Sequence, residues 1–248
     1  MIPCSVYMVV CNEEKHLARA LESVREFAEV IVVDSGSADA TCAMAESYPN
    51  VRLLRHAWEG YAPQKQWALN HCTNAWAFNI DADEEVSPAL RDVIAATIAE
   101  GKADAVRFPI PDVFLGTVCG LKVTDKIRCF RKGTGRYDLT NLVHEQILFS
   151  GTSAVTKAPL LHYGLTSIAK AIEKQNAYSS LKAREKFAKG KRASLVKLVL
   201  IFPVTWFASY FLKGSFRNGV AGFVNATNAA YYAFCKEAKL YELNGTPC

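Results

Sequence analysis

Along the first hundred residues, short unbroken apolar runs alternate with segments whose apolar positions recur every three or four residues. Ser5-Val6-Tyr7-Met8-Val9-Val10, Val30-Ile31-Val32-Val33, Val51-Arg52-Leu53-Leu54 and Ala75-Trp76-Ala77-Phe78 read as buried strands. Between the first two, Leu17, Leu21, Val24 and Phe27 mark a helix. Ser37 is placed to cap a second helix through about Tyr48, and a third follows with Pro63 near its first turn. Ser87-Pro88 opens a fourth, carried by Leu90, Val93, Ile94 and Ile98. Strands that are apolar on both faces and alternate with helices predict a parallel sheet covered on both sides. Beyond Gly101 the period changes: Val106, Phe108 and Ile110 alternate, and 127–131 and 146–149 read as short strands, a mixed extension of the sheet. From Thr166 the chain reads as helical to about Leu240. The expected division is a catalytic domain over 1–165 and a helical C-terminal region over 166–248.

Polar clusters follow three of the predicted strands: Cys11-Asn12-Glu13, Asp34-Ser35-Gly36 and Asp81-Ala82-Asp83. In a parallel sheet these fall at one edge, beyond the strands' carboxyl ends, where such sheets bind ligands. Asp81 and Asp83 are spaced to point the same way, and oxygen ligands of this kind suit a hard divalent cation able to neutralise a diphosphate. An acidic surface turn is the plain alternative. A calcium loop is disfavoured because Val86 stands where an EF-hand needs Gly.

Composition narrows the class. With half its residues hydrophobic, the chain can bury one substantial core. Pro3 and Asn12-Glu13-Glu14 interrupt any signal-like apolar stretch, and the eight cysteines show neither CxxC nor zinc spacing, so reduced cytosolic thiols are expected. The net charge of +5 is uneven, with Lys182, Arg184, Lys186, Lys189, Lys191, Arg192 and Lys197 clustered ahead of an apolar segment. That points to an anionic partner. A nucleic-acid-binding protein is the distant alternative, since no RRM, KH or helix-turn-helix pattern accompanies the basic run.

Asn12-Glu13-Glu14, Asp34-Ser35-Gly36-Ser37-Ala38-Asp39-Ala40-Thr41 and Asp81-Ala82-Asp83 resemble, in order and spacing, the family 2 glycosyltransferases. Four further stretches resemble a bacterial subgroup that adds glucose, β-1,4-linked, to the inner-core heptose of lipopolysaccharide or lipooligosaccharide. They are Gly60-Tyr61-Ala62-Pro63-Gln64-Lys65-Gln66-Trp67-Ala68-Leu69, Arg128-Cys129-Phe130-Arg131-Lys132, Val143-His144-Glu145 and Pro159-Leu160-Leu161-His162-Tyr163. The resemblance implies a GT-A fold: Rossmann-like α/β, with a mainly parallel mixed sheet flanked by helices and a helical C-terminal extension. It implies an inverting, metal-dependent hexosyltransferase using a UDP-sugar, expected to be UDP-glucose, and Mg²⁺ or Mn²⁺. Asp34 would hydrogen-bond uracil, with Asn12 and Glu13 lining the nucleotide pocket. Lys65 would reach the base or diphosphate, Asp81 would face the ribose and metal-bound water, and Asp83 would ligate the metal. Transfer onto a polyprenyl phosphate or another surface glycan is the enzymatic alternative.

The acceptor hydroxyl needs a general base. Glu145 is the candidate, with Asp125 and Asp112 in reserve; a simple ion pair with Arg131 or Arg136 is the other reading of Glu145. Several GT-A enzymes complete the metal site with a late His, which makes His162 a candidate ligand, against the alternative of a core histidine. The stretch 198–212 is uncharged and contains Pro203, Trp206, Phe207, Tyr210 and Phe211. It is shorter than the roughly 20 residues of a spanning helix, and with its basic flank it fits a helix lying in a membrane interface. Burial against the catalytic domain or a second subunit is the alternative. The implied location is cytoplasmic, peripheral to the inner membrane, where a lipid-linked saccharide acceptor would be met. Val220, Phe223, Val224, Tyr231 and Phe234 of the last helix are expected to face the core.

Overall fold

A computed structural model describes residues 1–119, 126–139, 146–164 and 167–245. The chain forms two compact units, Met1–Pro111 with Gly120–Gly164, and Asp112–Cys119 with Leu165–Cys248.

In the first unit, β1 (Ile2–Val10), α1 (Leu17–Ser23), β2 (Phe27–Asp34), α2 (Thr41–Glu46), β3 (Val51–Arg55), α3 (Tyr61–His71) and β4 (Trp76–Asn79) alternate. The short β5 (Glu84–Val86), α4 (Pro88–Glu100) and β6 (Ala105–Arg107) follow. The hairpin of β7 (Asp112–Phe114) and β8 (Thr117–Cys119) belongs to the second unit. The first unit resumes with β9 (Cys129–Arg131), β10 (Gly135–Tyr137), β11 (Ile147–Phe149), β12 (Ser153–Val155) and β13 (Leu160–His162).

Seven strands form one sheet in the order β12-β6-β9-β4-β1-β2-β3. β1, β2, β3 and β4 run parallel, and β9 enters antiparallel between β4 and β6. The unbroken apolar runs are explained by burial on both faces. Val6, Met8, Val30 and Val32 pack on one side with Leu17, Leu21, Leu90 and Ile94. Their neighbours Tyr7, Ile31 and Val33 pack on the other side with Ala68, Leu69 and Phe130. Period-2 alternation thus sends successive residues into two cores, each apolar. The register sets Val10 beside Asp34 and Tyr7 beside Asn79, so the ends of β1, β2 and β4 open at one edge.

Local signals hold where nothing distant competes. Ser87 caps α4, its Oγ accepting from Leu90 N at 3.2 Å, with Pro88 in the first turn. Ser37 does not cap α2. That helix is shorter than expected, running only from Thr41 to Glu46, and the Ser37 hydroxyl instead accepts from Asn12 N at 2.9 Å. Phe27 is the first residue of β2 rather than the last turn of α1, since Val24 already lies past the helix end.

The second unit carries α5 (Ile168–Ala188), α6 (Leu195–Phe207) and α7 (Gly219–Gly245), with a π-helical turn at Ala208–Leu212 and a 3₁₀ turn at Ser215–Asn218 after α6. The expectation for α7 is overturned. Its buried residues are the small Ala221, Gly222, Ala226, Ala230 and Ala233, with Cys235, Glu237 and Leu240. Val220, Phe223, Tyr231 and Phe234 are exposed. Small side chains let α7 approach its neighbours closely: a Cβ on Gly222 would lie 1.7 Å from the Ser215 carbonyl oxygen. Such contact leaves the bulky residues no place but outside.

Candidate active site

The polar clusters at the ends of β1, β2 and β4 surround a cleft of about 540 Å³ in the first unit. Glu13, Ser35, Lys65, Asp81, Asp83 and His162 line it, with Trp58 and Tyr61 at its rim. These two rings meet edge-on at 4.9 Å and stay half exposed.

Two of the loops are braced by their own polar groups. Asn12, at φ 57°, adopts the left-handed conformation that Asn tolerates better than most residues. Its Oδ1 accepts from Ala38 N at 2.8 Å, while Glu13 N donates to Thr41 Oγ1 at 2.8 Å. Asp34 is buried, and its carboxylate accepts from Gly36 N and Ser37 N at 3.1 Å each. Burial alone would raise its pKa; the hydrogen bonds from Ser37 and Gly36 outweigh that and lower it. Asn12 and Asp34 therefore shape the loops, while Glu13 reaches the cleft wall.

α3 presents two polar side chains inward. Gln64, fully buried, donates to Ser35 Oγ at 3.1 Å and to the His56 carbonyl at 2.9 Å. Lys65 is 4% exposed, and its Nζ donates to Asp81 Oδ1 at 2.9 Å. Arg128, just before β9, holds the other side. Its guanidinium donates to Asp81 Oδ2 at 3.2 Å, to both Glu84 oxygens at 3.3 Å and to Asn79 Oδ1 at 3.1 Å. Glu84 Oε2 accepts from Asp81 N at 2.7 Å. Asp81 is thus gripped by two cations. Its enclosure would raise its pKa, but Arg128 and then Lys65 hold it well below the carboxylate range. The neighbouring Glu84 is pushed the other way, to about 7, by burial and the charge of Asp81, against the pull of Arg128.

Asp83 has a different partner, His162. The antiparallel pairing of β13 with β5 sets His162 opposite Glu84, bringing His162 Nε2 to 3.2 Å from Asp83 Oδ2. Tyr163 N donates to the Asp83 carbonyl at 2.8 Å, and the Tyr163 ring lies under the Arg19 guanidinium at 3.9 Å. Gly164 keeps space open here, since a Cβ would come within 2.7 Å of the His162 ring and 3.2 Å of Asp83 Oδ2. No group of three or more His, Cys, Asp or Glu side chains suited to a metal occurs among the described residues. The pair nonetheless suits a divalent cation that takes its other ligands from phosphate and water: one carboxylate and one imidazole, partly exposed at the cleft with space beside them.

The structure therefore brings Glu13, Lys65, Asp81, Asp83 and His162 to one cleft and places Asn12 and Asp34 in its supporting loops. Asp81 and Asp83 both line this cleft, each with its own partners. Glu145 and Asp125 lie outside the described residues, and Asp112 belongs to the second unit. Sequence reasoning missed Arg128, Gln64 and Glu84 as site residues. The available signal for Arg128 was its place at the head of the stretch Arg128-Cys129-Phe130-Arg131-Lys132, to which no role was assigned.

Residues 5–151 match the model of glycosyl transferase family 2. The chain belongs to this family. It is 36% identical to the lipopolysaccharide core biosynthesis glycosyltransferase LpsC of Rhizobium meliloti, over 97% of this chain and 93% of that protein. It is 31% identical to an uncharacterized glycosyltransferase of Rickettsia typhi, over 97% and 87%. Among solved structures, Staphylococcus aureus TarS 1–349 in complex with UDP-GlcNAc superposes with a TM-score of 0.53 at 17% identity, covering 96% of this chain and 89% of that one. The mannosyltransferase PcManGT of Pyrobaculum calidifontis, in complex with GDP-Man and Mn²⁺, gives 0.52 at 14% identity, over 98% and 88%. The fold of this family 2 glycosyltransferase is accordingly GT-A, a mainly parallel sheet followed by C-terminal helices.

Proposed function

We propose that this glycosyltransferase moves a sugar, glucose from UDP-glucose, onto an inner-core heptose of lipopolysaccharide or lipooligosaccharide. The observation that carries the reading is the juxtaposition of a doubly clamped Asp81 with the Asp83–His162 pair at the ends of the central strands. The similarity to LpsC, a lipopolysaccharide core biosynthesis glycosyltransferase, supports a core-saccharide acceptor, and the UDP-GlcNAc complex of TarS supports a UDP-sugar donor. The acceptor would be lipid-linked and the enzyme peripheral to the cytoplasmic face of the inner membrane.

In this reading Lys65 and Arg128 fix the Asp81 carboxylate so that it meets the donor ribose without reorganising. Glu13 and Ser35 line the nucleotide end of the cleft, on loops held by Asn12 and Asp34, with Asp34 the candidate partner of uracil. Asp83 and His162 would hold Mg²⁺ or Mn²⁺, as the Mn²⁺ complex of PcManGT also suggests. Such an ion, when bound, supplies charge that stabilises the departing diphosphate. The acceptor oxygen attacks the anomeric carbon from the face opposite the diphosphate and forms the new glycosidic bond. The electron pair of the breaking bond leaves with the β-phosphate oxygen of UDP, and the acceptor proton passes to the base, for which Glu145 is the candidate. Attack from that face converts an α-linked donor into a β-glycoside.

The test is UDP release from UDP-glucose with purified heptose-containing core acceptor and Mg²⁺ or Mn²⁺, with and without EDTA. Acceptor-dependent, EDTA-sensitive release is expected. Turnover with a polyprenyl phosphate or another sugar nucleotide instead would discard the acceptor or donor assignment.

A further inference from the structure

The second unit has an apolar exterior that its own packing does not use. α6 and the π-helical turn after it form an 18-residue apolar stretch, Leu195–Leu212, of mean hydropathy 1.8 and only 6% buried. Val196, Leu200, Val204, Phe207 and Phe211 follow one another at helical spacing and are exposed between 48% and 69%. α6 rests on α7 through its opposite side. Lys197 Nζ lies 3.3 Å from Glu237 Oε1, and Trp206 Nε1 donates to Thr227 Oγ1 at 3.2 Å, so the two helices run antiparallel and are pinned near both ends. Between them Phe202, Pro203, Trp206, Phe207 and Phe223 line an open apolar groove.

The charges around this surface decide what covers it. At the start of α6, the ammonium groups of Lys182, Lys186, Lys189 and Lys197 share, among the described residues, the carboxylates of Glu185 and Glu237. Lys186 and Lys197 meet at a single oxygen of Glu237, which leaves each ammonium further N–H donors. Lys191 and Arg192 are exposed beside them. At the far end Lys213 and Arg217 are exposed as well. The uncharged interval 198–212 would extend about 22 Å as a helix, short of the roughly 30 Å of a bilayer's hydrocarbon core. A spanning helix would place one cationic end within hydrocarbon. A helix lying flat keeps both ends at the level of lipid phosphates and lowers the apolar stripe between them into the acyl region.

We propose that the α6 face of the second unit is a docking surface for an anionic lipid leaflet, with α6 in the membrane plane and cationic clusters at both its ends binding acidic headgroups. This deepens the proposed inner-membrane location and rests on it for its biological setting. UDP-glucose binding in solution tests the catalytic cleft separately.

The experiment is co-flotation of the full chain with vesicles of neutral phosphatidylcholine and with the same vesicles containing phosphatidylglycerol. It is repeated in high salt and followed by alkaline carbonate extraction. Binding is expected to need the acidic lipid, to weaken with salt and to be released by carbonate. Val199→Asp with Val204→Asp, both exposed positions, should lower partitioning at least tenfold. Lys213→Glu with Arg217→Glu should weaken the preference for acidic lipid, leaving the part carried by the cluster at the other end of α6. Calorimetric binding of UDP-glucose should be unchanged in both variants, and an unchanged far-UV circular dichroism spectrum shows that the helices of the second unit still form. Resistance to carbonate would mean a spanning helix and overturn the proposal. Equal, salt-insensitive binding to neutral vesicles would overturn it too, as would a stable dimer that binds no vesicles.

Discussion

Replacing Arg128 by Met removes the cation that Asp81 and Glu84 share. Arg128 is 14% exposed and Glu84 only 2%, so the loss leaves a carboxylate in the interior with the Asp81 N–H but no cation. Breaking a buried pair from one side costs about 3–5 kcal/mol, against a total stability of about 5–15 kcal/mol for a typical domain. Asp81 retains Lys65, whose 2.9 Å contact bears on one oxygen alone, so it loses its fixed orientation as well. The expected outcome is a large fall in the urea midpoint together with weaker UDP-glucose binding. Arg128→Lys should recover part of the stability but not the fork that spans both carboxylates. The decisive assay is a double-mutant cycle with Glu84→Gln. Removing the stranded carboxylate should restore at least about 1 kcal/mol of the stability lost in Arg128→Met, within the range of couplings measured for touching residues. If Arg128→Met costs under about 1 kcal/mol, or Glu84→Gln gives no recovery, the clamp is not the organising interaction described above.

Further outcomes follow from single residues. Gly222→Ala should destabilise the second unit severely in thermal unfolding, because its Cβ would overlap the Ser215 carbonyl; a change within about 0.5 kcal/mol would show that α7 packs differently. Glu29 accepts from Ser5 Oγ and from Thr73 N and Oγ1 and lies 3.3 Å from Arg52, and these contacts lower its pKa despite burial. Its contribution is therefore complete above the ordinary Glu pKa of about 4.3 and disappears as pH falls through the lower folded value. Glu29→Gln should accordingly be less stable than wild type at pH 7, by about 1.5–3 kcal/mol, with the gap closing in acid; a gap that is independent of pH would refute this. Glu145→Gln should depress turnover about 10²–10⁴-fold with little change in donor affinity, and a near-silent variant would remove Glu145 as the base.

How much was legible depended on the range of the interactions. The parallel sheet could be read from β1, β2 and β4 because burial on both faces leaves an unbroken apolar run. The α4 start could be read because Ser87, Pro88 and Leu90 are neighbours in the chain. Ser37 misled because its hydroxyl is claimed by Asn12, from a different loop 25 residues away. Arg128 escaped notice as a site residue because Asn79, Asp81 and Glu84 lie 44–49 positions from it, and nothing local marks such a partnership. In α7 the aromatic residues drew the assignment of the inner face, whereas Ala226, Ala230 and Ala233 hold it. Apolar periodicity alone does not separate a stripe that packs from one that meets another apolar medium.

The central claim is that the cleft at the ends of β1, β2 and β4 binds a nucleoside diphosphate sugar with Lys65 and Asp81 on one side and a metal held by Asp83 and His162 on the other. Its most direct measurement is calorimetric titration of UDP-glucose into the wild-type protein and the Lys65→Met and Asp83→Ala variants, each with Mn²⁺ and with EDTA. The account predicts binding that EDTA weakens at least tenfold in wild type, weaker binding in Lys65→Met, and no metal dependence left in Asp83→Ala. Absence of UDP-glucose binding under every condition, or binding equal in all three proteins, would contradict it.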